Sequence, residues 1–204
     1  MKKLFLVSII VLGVLTAANA QFYAGAGFSV SSSSISASSN LLSFGVNLSP
    51  EFGLMITPKV SLGTNFNIRI TGTDSSSDSY TSTTTEYYYE FAPYVRYGVI
   101  RYNNFVLQLQ GDVYVSYLKR KAFYNDYHYP NGNKQYFGLR VAPRLSYDIS
   151  RHFTLYTKLD FLGLRFTTFI DREQDEVQTS FSLFGNTSNI ISLDGLSIGM
   201  LYVF

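Results

Sequence analysis

Residues 86–99 read EYYYEFAPYVRYGV. Taken alternately they separate into two sets. Tyr87, Tyr89, Phe91, Pro93, Val95, Tyr97 and Val99 fall on one side, and Glu86, Tyr88, Glu90, Ala92, Tyr94, Arg96 and Gly98 on the other. Successive side chains of a strand point to opposite faces, so this period of two marks an extended segment with one apolar surface.

Seven further runs repeat the pattern. They lie around Phe22–Ser32, Leu42–Leu54, Val60–Ile70, Phe105–Tyr117, Phe137–Asp148, Phe153–Phe161 and Leu196–Phe204. In the seventh run of the chain, Phe153, Leu155, Leu159 and Phe161 oppose Thr154, Tyr156, Lys158 and Asp160. Eight runs suit a sheet closed by pairing its first and last strands. The connections alternate. Those at 57–59, 101–104 and 150–152 are short; those at 33–40, 74–85, 124–134 and 171–189 are longer and polar. Short turns on one rim and long loops on the other form the pattern of a membrane barrel. The predicted fold is all-β: an eight-stranded antiparallel up-and-down transmembrane β-barrel.

The N-terminus adds a compartment. Lys2 and Lys3 precede an apolar run, Leu4–Leu15, and then Thr16-Ala17-Ala18-Asn19-Ala20. A basic start, a short greasy stretch and an A-x-A site are the features of a secretory signal peptide. Residues 1–20 are therefore expected to be a leader cleaved after Ala20, and residues 21–204 the barrel domain. The chain has 16 basic and 14 acidic residues, two of the basic ones in the leader, so the remainder is formally neutral. That balance gives no basic stripe for nucleic acid. The chain has no cysteine, which leaves neither disulfides nor a lipoprotein anchor.

Alternation does not by itself say which face is inside; a lipocalin-like secreted barrel has the same stripes turned inward. Three features favour apolar outward. The polar face is small and mixed, with charges of both signs at mid-strand. Aromatics crowd both ends of the apolar face: Tyr97, Phe105, Tyr147, Phe153, Tyr202 and Phe204 near the short turns, Tyr87, Tyr89, Tyr117 and Phe137 near the long loops. The runs have the length of a tilted membrane strand. A narrow lumen then receives Glu51, Glu90, Asp112 and Asp160 against Arg69, Arg96, Arg140, Arg144 and Lys158. These nine are expected to form an internal ion-pair network, with lumen glycines making room for Arg and Tyr. The interior of an eight-stranded barrel is filled by side chains, so no open pore is expected.

Pro50-Glu51-Phe52-Gly53, a short turn, Val60-Ser61-Leu62-Gly63 and a last strand ending in Phe204 resemble the small outer-membrane β-barrel proteins of Gram-negative bacteria, the OmpA/OmpX-like barrels. The resemblance spans residues 21–204. It implies an outer-membrane location, with outer-membrane lipids and the barrel-assembly machinery as partners, and Tyr202 and Phe204 as the C-terminal assembly signal. It does not extend to the peptidoglycan-binding domain of full-length OmpA-type proteins.

Catalysis in such a barrel would need a His with Ser and an acid at the outer rim. His152 falls in a short turn on the wrong side, and His128, near Asp126, reads as a solvated loop residue. No catalytic, metal or cofactor site is expected. Lys119, Arg120 and Lys121 are placed to meet lipid head groups, and the acidic stretch Asp171–Glu176 reads as a solvated loop. The function expected is that of a structural or surface-interaction protein, acting through its external loops on an unidentified partner. A narrow channel or small hydrophobic-solute conduit is the alternative, and an outer-leaflet lipid-modifying enzyme a third reading.

Overall fold

A computed structural model describes residues 20–36, 40–77, 80–124, 127–159, 162–171, 176–185 and 196–204. Residues 1–19 of the expected leader lie outside the described residues. The strands are β1 (Gln21–Ser36), β2 (Asn40–Met55), β3 (Val60–Ser77), β4 (Tyr80–Tyr102), β5 (Phe105–Tyr124), β6 (Tyr127–Asp148), β7 (Phe153–Leu159), β8 (Leu162–Asp171), β9 (Glu176–Gly185) and β10 (Leu196–Val203). Neighbours in sequence pair antiparallel from β1 through β7, and β7 pairs β10. The ring closes where β10 meets β1, from Tyr23 opposite Val203 to Phe28 opposite Ile198. It holds eight strands: β1 to β7 and β10.

The burial pattern decides which face is inside. Glu51, Arg144 and Arg96 are 0%, 1% and 2% exposed, whereas Phe28, Val115 and Leu139 are 52%, 55% and 51% exposed. A soluble barrel would reverse these. Ionised groups are wrapped inside and aliphatic stripes face outward, as a lipid environment requires. Among the described residues no helix is long and apolar enough to cross a membrane; the strands cross it.

Aromatics mark the short-turn rim as a chain of ring contacts. Phe105 packs on Tyr147 at 4.8 Å between centroids, Phe153 on Tyr202 at 5.1 Å, Tyr202 on Phe204 at 4.9 Å and Phe204 on Phe22 at 5.3 Å. His152, in the turn before β7, holds this end together. Its Nδ1 lies 2.8 Å from the Val203 carbonyl oxygen, its backbone oxygen accepts from Val203 N–H at 2.8 Å, and its ring stacks on Tyr202. The terminal strand is thereby tied to its neighbour beyond the last ladder bond.

Three features depart from the sequence reading. The longer connections are mostly strand: β1 and β2 reach Ser36 and Asn40, β3 and β4 reach Ser77 and Tyr80, β5 and β6 reach Tyr124 and Tyr127. Threonine and tyrosine favour extended backbone, and the strand-forming stretches Tyr80–Glu90 and Tyr117–Tyr124 carry β4 and β5 beyond the belt, as their composition suggests; the extension of the other strands was not expected. The seventh run is not one alternation. Phe153 and Leu155 face outward, and so do Leu164, Phe166 and Ile170, which have the opposite parity. The phase changes between β7 and β8, where Gly163 adopts φ 154°, a conformation open to glycine; Asp160 and Phe161 lie outside the described residues. The acidic stretch Asp171–Glu176 has its two ends paired, Asp171 opposite Glu176, and its middle outside the described residues.

Proline sits in walls that have no edge. Pro50 and Pro93 lie on the outward faces of β2 and β4 and lack the N–H that a ladder needs. The β2–β3 pairing skips from Leu48 opposite Ile68 to Glu51 opposite Asn65. The β4–β5 pairing skips from Phe91 opposite Val115 to Tyr94 opposite Asp112.

Candidate functional site: the polar lumen

The lumen is built on four cross-strand pairs of tyrosine and glycine. Tyr23 faces Gly53 between β1 and β2, Gly63 faces Tyr94 between β3 and β4, Tyr114 faces Gly138 between β5 and β6, and Tyr156 faces Gly199 between β7 and β10. The phenol end of each ring reaches over the glycine opposite, where a Cβ would collide with it. Glycine weakens a strand, and a cross-strand aromatic covers the backbone it leaves bare. Buried among the described residues, Tyr23, Tyr94 and Tyr156 pack with Leu201 and Val203. Tyr23 and Tyr94 share a hydroxyl–hydroxyl bond of 2.7 Å. Gly199→Ala is expected to push the Tyr156 ring off its seat and to cost about 1–3 kcal/mol as overpacking. The urea midpoint for loss of the heat-modifiable folded band measures it.

Charged groups fill the space the rings leave. Arg144 donates from both terminal nitrogens to Glu51, at 3.0 Å, across the lumen from β6 to β2. Arg96 reaches the same carboxylate at 3.2 Å. Aromatic faces hold both guanidiniums: the Arg144 carbon is 3.3 Å from the centre of the Tyr156 ring, the Arg96 carbon 4.6 Å from that of Tyr94. Such stacking suits a planar, weakly hydrated cation.

Nearer the long-loop end Arg140 meets Glu90 and Asp112, each at 3.0 Å. The Tyr88 hydroxyl donates to Glu90 at 2.6 Å. The first cluster has two cations and one anion, the second one cation and two anions. Gln110 joins them with its amide correctly poled: its oxygen accepts from Arg96 at 3.0 Å, and its nitrogen donates to Asp112 at 3.3 Å. Three carboxylates and three guanidiniums are thus neutral as a set.

Six of the nine residues expected in the network are therefore joined: Glu51, Glu90, Arg96, Asp112, Arg140 and Arg144. Arg69 is not; it is exposed, stacks on the Tyr88 ring at 5.6 Å, and has no ion-pair partner among the described residues. Lys158 faces the lumen opposite Arg144, part-buried and with partners of its own, and its charge acts on both Glu51 and Glu90, so it belongs to the same field. Asp160 lies outside the described residues. Gln110 was missed as a partner; lumen glycines were expected to make room for tyrosines, but which ring faces which glycine is set by register.

Below the plug, an open vestibule of ≈ 530 Å³ occupies the short-turn mouth, lined in part by Thr57, Arg101, Asp148 and Arg151. Asp148 ties this rim: it takes a 2.9 Å ion pair from Arg101 and a 2.8 Å bond from the Thr154 hydroxyl. A recess of only ≈ 50 Å³ leads from this rim to Arg96. Among the described residues no group of three or more His, Asp or Glu could hold a metal. His128 falls within β6 by its backbone.

No family model and no curated protein matches the chain. Among solved structures it is similar to a major outer membrane protein from Thermus thermophilus, at 13% identity over 91% of this chain and 99% of that one, with a TM-score of 0.46. It is also similar to Neisserial surface protein A, at 14% identity over 91% of this chain and 97% of that one, with a TM-score of 0.42. At such identities and scores neither likeness bears on activity, ligand or partner. Strand register and burial establish the architecture: the chain is a transmembrane β-barrel with an eight-stranded ring and a charged, filled lumen.

Proposed function

We propose that the protein is a non-enzymatic outer-membrane protein, exported by its leader, that acts structurally or by surface interaction through the hairpins it extends beyond the membrane. The carrying observation is the filled lumen: Glu51, Arg96 and Arg144 meet across its width, and none is more than 2% exposed. A barrel without a path offers its outer wall and its projecting ends as working surfaces. Those ends are substantial, since β3 and β4 run on past Tyr87 and Tyr89 to Ser77 and Tyr80. Loops and strand ends on a rigid scaffold are the usual place for binding. The partner would be extracellular; the assembly machinery and outer-membrane lipids would be met from the other surfaces.

Planar-bilayer recording with purified, refolded protein tests this. The expected result is no steady single-channel current under applied voltage. Uniform conductance steps that persist after repurification would replace the plugged reading with the narrow channel. Membrane fractionation, with unheated and heated gel mobility, checks location and closure on the same sample.

A further inference from the structure

Along β5 the outward stripe changes character at the long-loop rim. Val113, Val115 and Tyr117 face outward, and the next two positions of that parity are Lys119 and Lys121. Lys119 lies opposite Tyr87 on β4 and Asn133 on β6; Lys121 lies opposite Thr85, with its ammonium 5.7 Å from the centre of the Tyr87 ring. Arg120, between them, belongs to the other face and pairs with Glu86 at 3.6 Å. No carboxylate among the described residues pairs with either lysine.

Directly beneath, a groove of ≈ 430 Å³ crosses the outer wall over β3, β4 and β5, lined by Phe66, Ile68, Tyr89, Phe91, Val115 and Tyr117. Its upper edge is Gln135, opposite Tyr117. Two cations therefore stand over a greasy channel, at a level marked by tyrosines. The groove belongs to the lipid-facing stripe, so its occupant comes from the membrane. Alternate residues on one face of a strand are about 7 Å apart, and the four-carbon lysine stems allow both ammonium groups to converge on one anion. A phosphomonoester carries about −1.5 to −2 charges at neutral pH, which matches two lysines better than the single charge of a phosphodiester.

We propose that this is a binding site for one lipid bearing a phosphomonoester head group, with the phosphate between Lys119 and Lys121 and an acyl chain along the groove. The proposal rests on the membrane reading and is independent of whether the hairpins bind a surface partner.

Native mass spectrometry of the intact barrel in a neutral detergent tests it, with three probes at matched concentrations: lipid A carrying its phosphomonoesters, the same lipid A with the phosphates removed, and phosphatidylglycerol. The first lipid A adduct is expected at a concentration about thirtyfold lower than that of the dephosphorylated form, taking roughly 1 kcal/mol per lysine near an anionic lipid. The Lys119→Gln/Lys121→Gln double variant should lose this preference while keeping its heat-modifiable mobility. Lys119→Arg/Lys121→Arg should retain it. Equal binding of phosphorylated and dephosphorylated lipid A, or phosphatidylglycerol bound as tightly as lipid A, overturns the site. Because these outcomes concern lipid adducts only, failure here is distinct from the appearance of channel currents.

Discussion

Replacing Glu51 by alanine is expected to destabilise the barrel by about 3–5 kcal/mol, the usual loss when one partner of a buried ion pair is removed. Glu51 is the only carboxylate that Arg144 and Arg96 touch among the described residues, and all three side chains are sealed from solvent. Without it, two buried guanidiniums keep no carboxylate in contact among the described residues. Glu51→Gln should lose nearly as much, since it keeps size and hydrogen-bonding atoms but not charge. The informative variant is Glu51→Leu with Arg96→Met and Arg144→Met. Apolar replacement of buried ionic groups is often neutral or stabilising; because the triple variant leaves Arg140 facing both Glu90 and Asp112, it should recover part of the loss rather than all of it. Urea unfolding in phosphatidylcholine vesicles, followed by the folded gel band, reads all three. A Glu51→Ala loss below about 1 kcal/mol would mean that water already reaches the arginines, and the plugged lumen would be wrong.

The same cluster shows why part of the architecture was readable from sequence. Lipid and lumen impose opposite chemistry on alternate positions, so Tyr87 to Val99 could be divided without knowing any contact. The charges that fell on one parity, Glu51, Arg96 and Arg144 among them, met in the centre because a narrow ring leaves them nowhere else to go. Register was the missing knowledge. Which Arg reaches which acid depends on how far each strand is displaced along the next, and no local pattern encodes that. Hence Gln110 passed as an ordinary polar position, although its amide joins Arg96 to Asp112. Arg69 was counted with the network, although its place in β3 leaves it on the Tyr88 ring.

The seventh strand was misread for a different physical reason. From Leu159 to Leu164 the sequence reads LDFLGL, with apolar side chains at both parities. A period-two reading can pass through such a stretch in either phase, and it kept the phase set by Phe153 and Leu155. The structure changes phase before Leu164. Gly163 was the available hint, because glycine inside a strand pattern often marks a bulge or a bend. The projecting hairpins were legible in part: YTSTTTEYYYE and YLKRKAFY carry strand-forming residues at the ends of β4 and β5, whereas the Ser-rich ends of β1 to β3 satisfy a loop reading as well as an exposed strand.

Leu139→Arg is expected to cost about 2–4 kcal/mol, the penalty for arginine on the lipid face at mid-depth of a membrane barrel. Leu139 sits between Val113 on β5 and Phe166 on β8, and all three side chains face outward. It lies well along β6 from the aromatic rim at Tyr147. Ile149 is as exposed as Leu139, at 53% against 51%, but lies in the short turn beyond that rim. There Ile149→Arg should cost only about 0–1 kcal/mol, because near the interface the guanidinium reaches head groups and water. Solvent exposure alone therefore predicts equal effects, and membrane depth predicts unequal ones. Unfolding of both variants in phosphatidylcholine vesicles decides between them. If Leu139→Arg were as harmless as Ile149→Arg, the aliphatic stripe would be facing water. The closed ring would stand, but the groove beneath Lys119 and Lys121 would then have no lipid to hold.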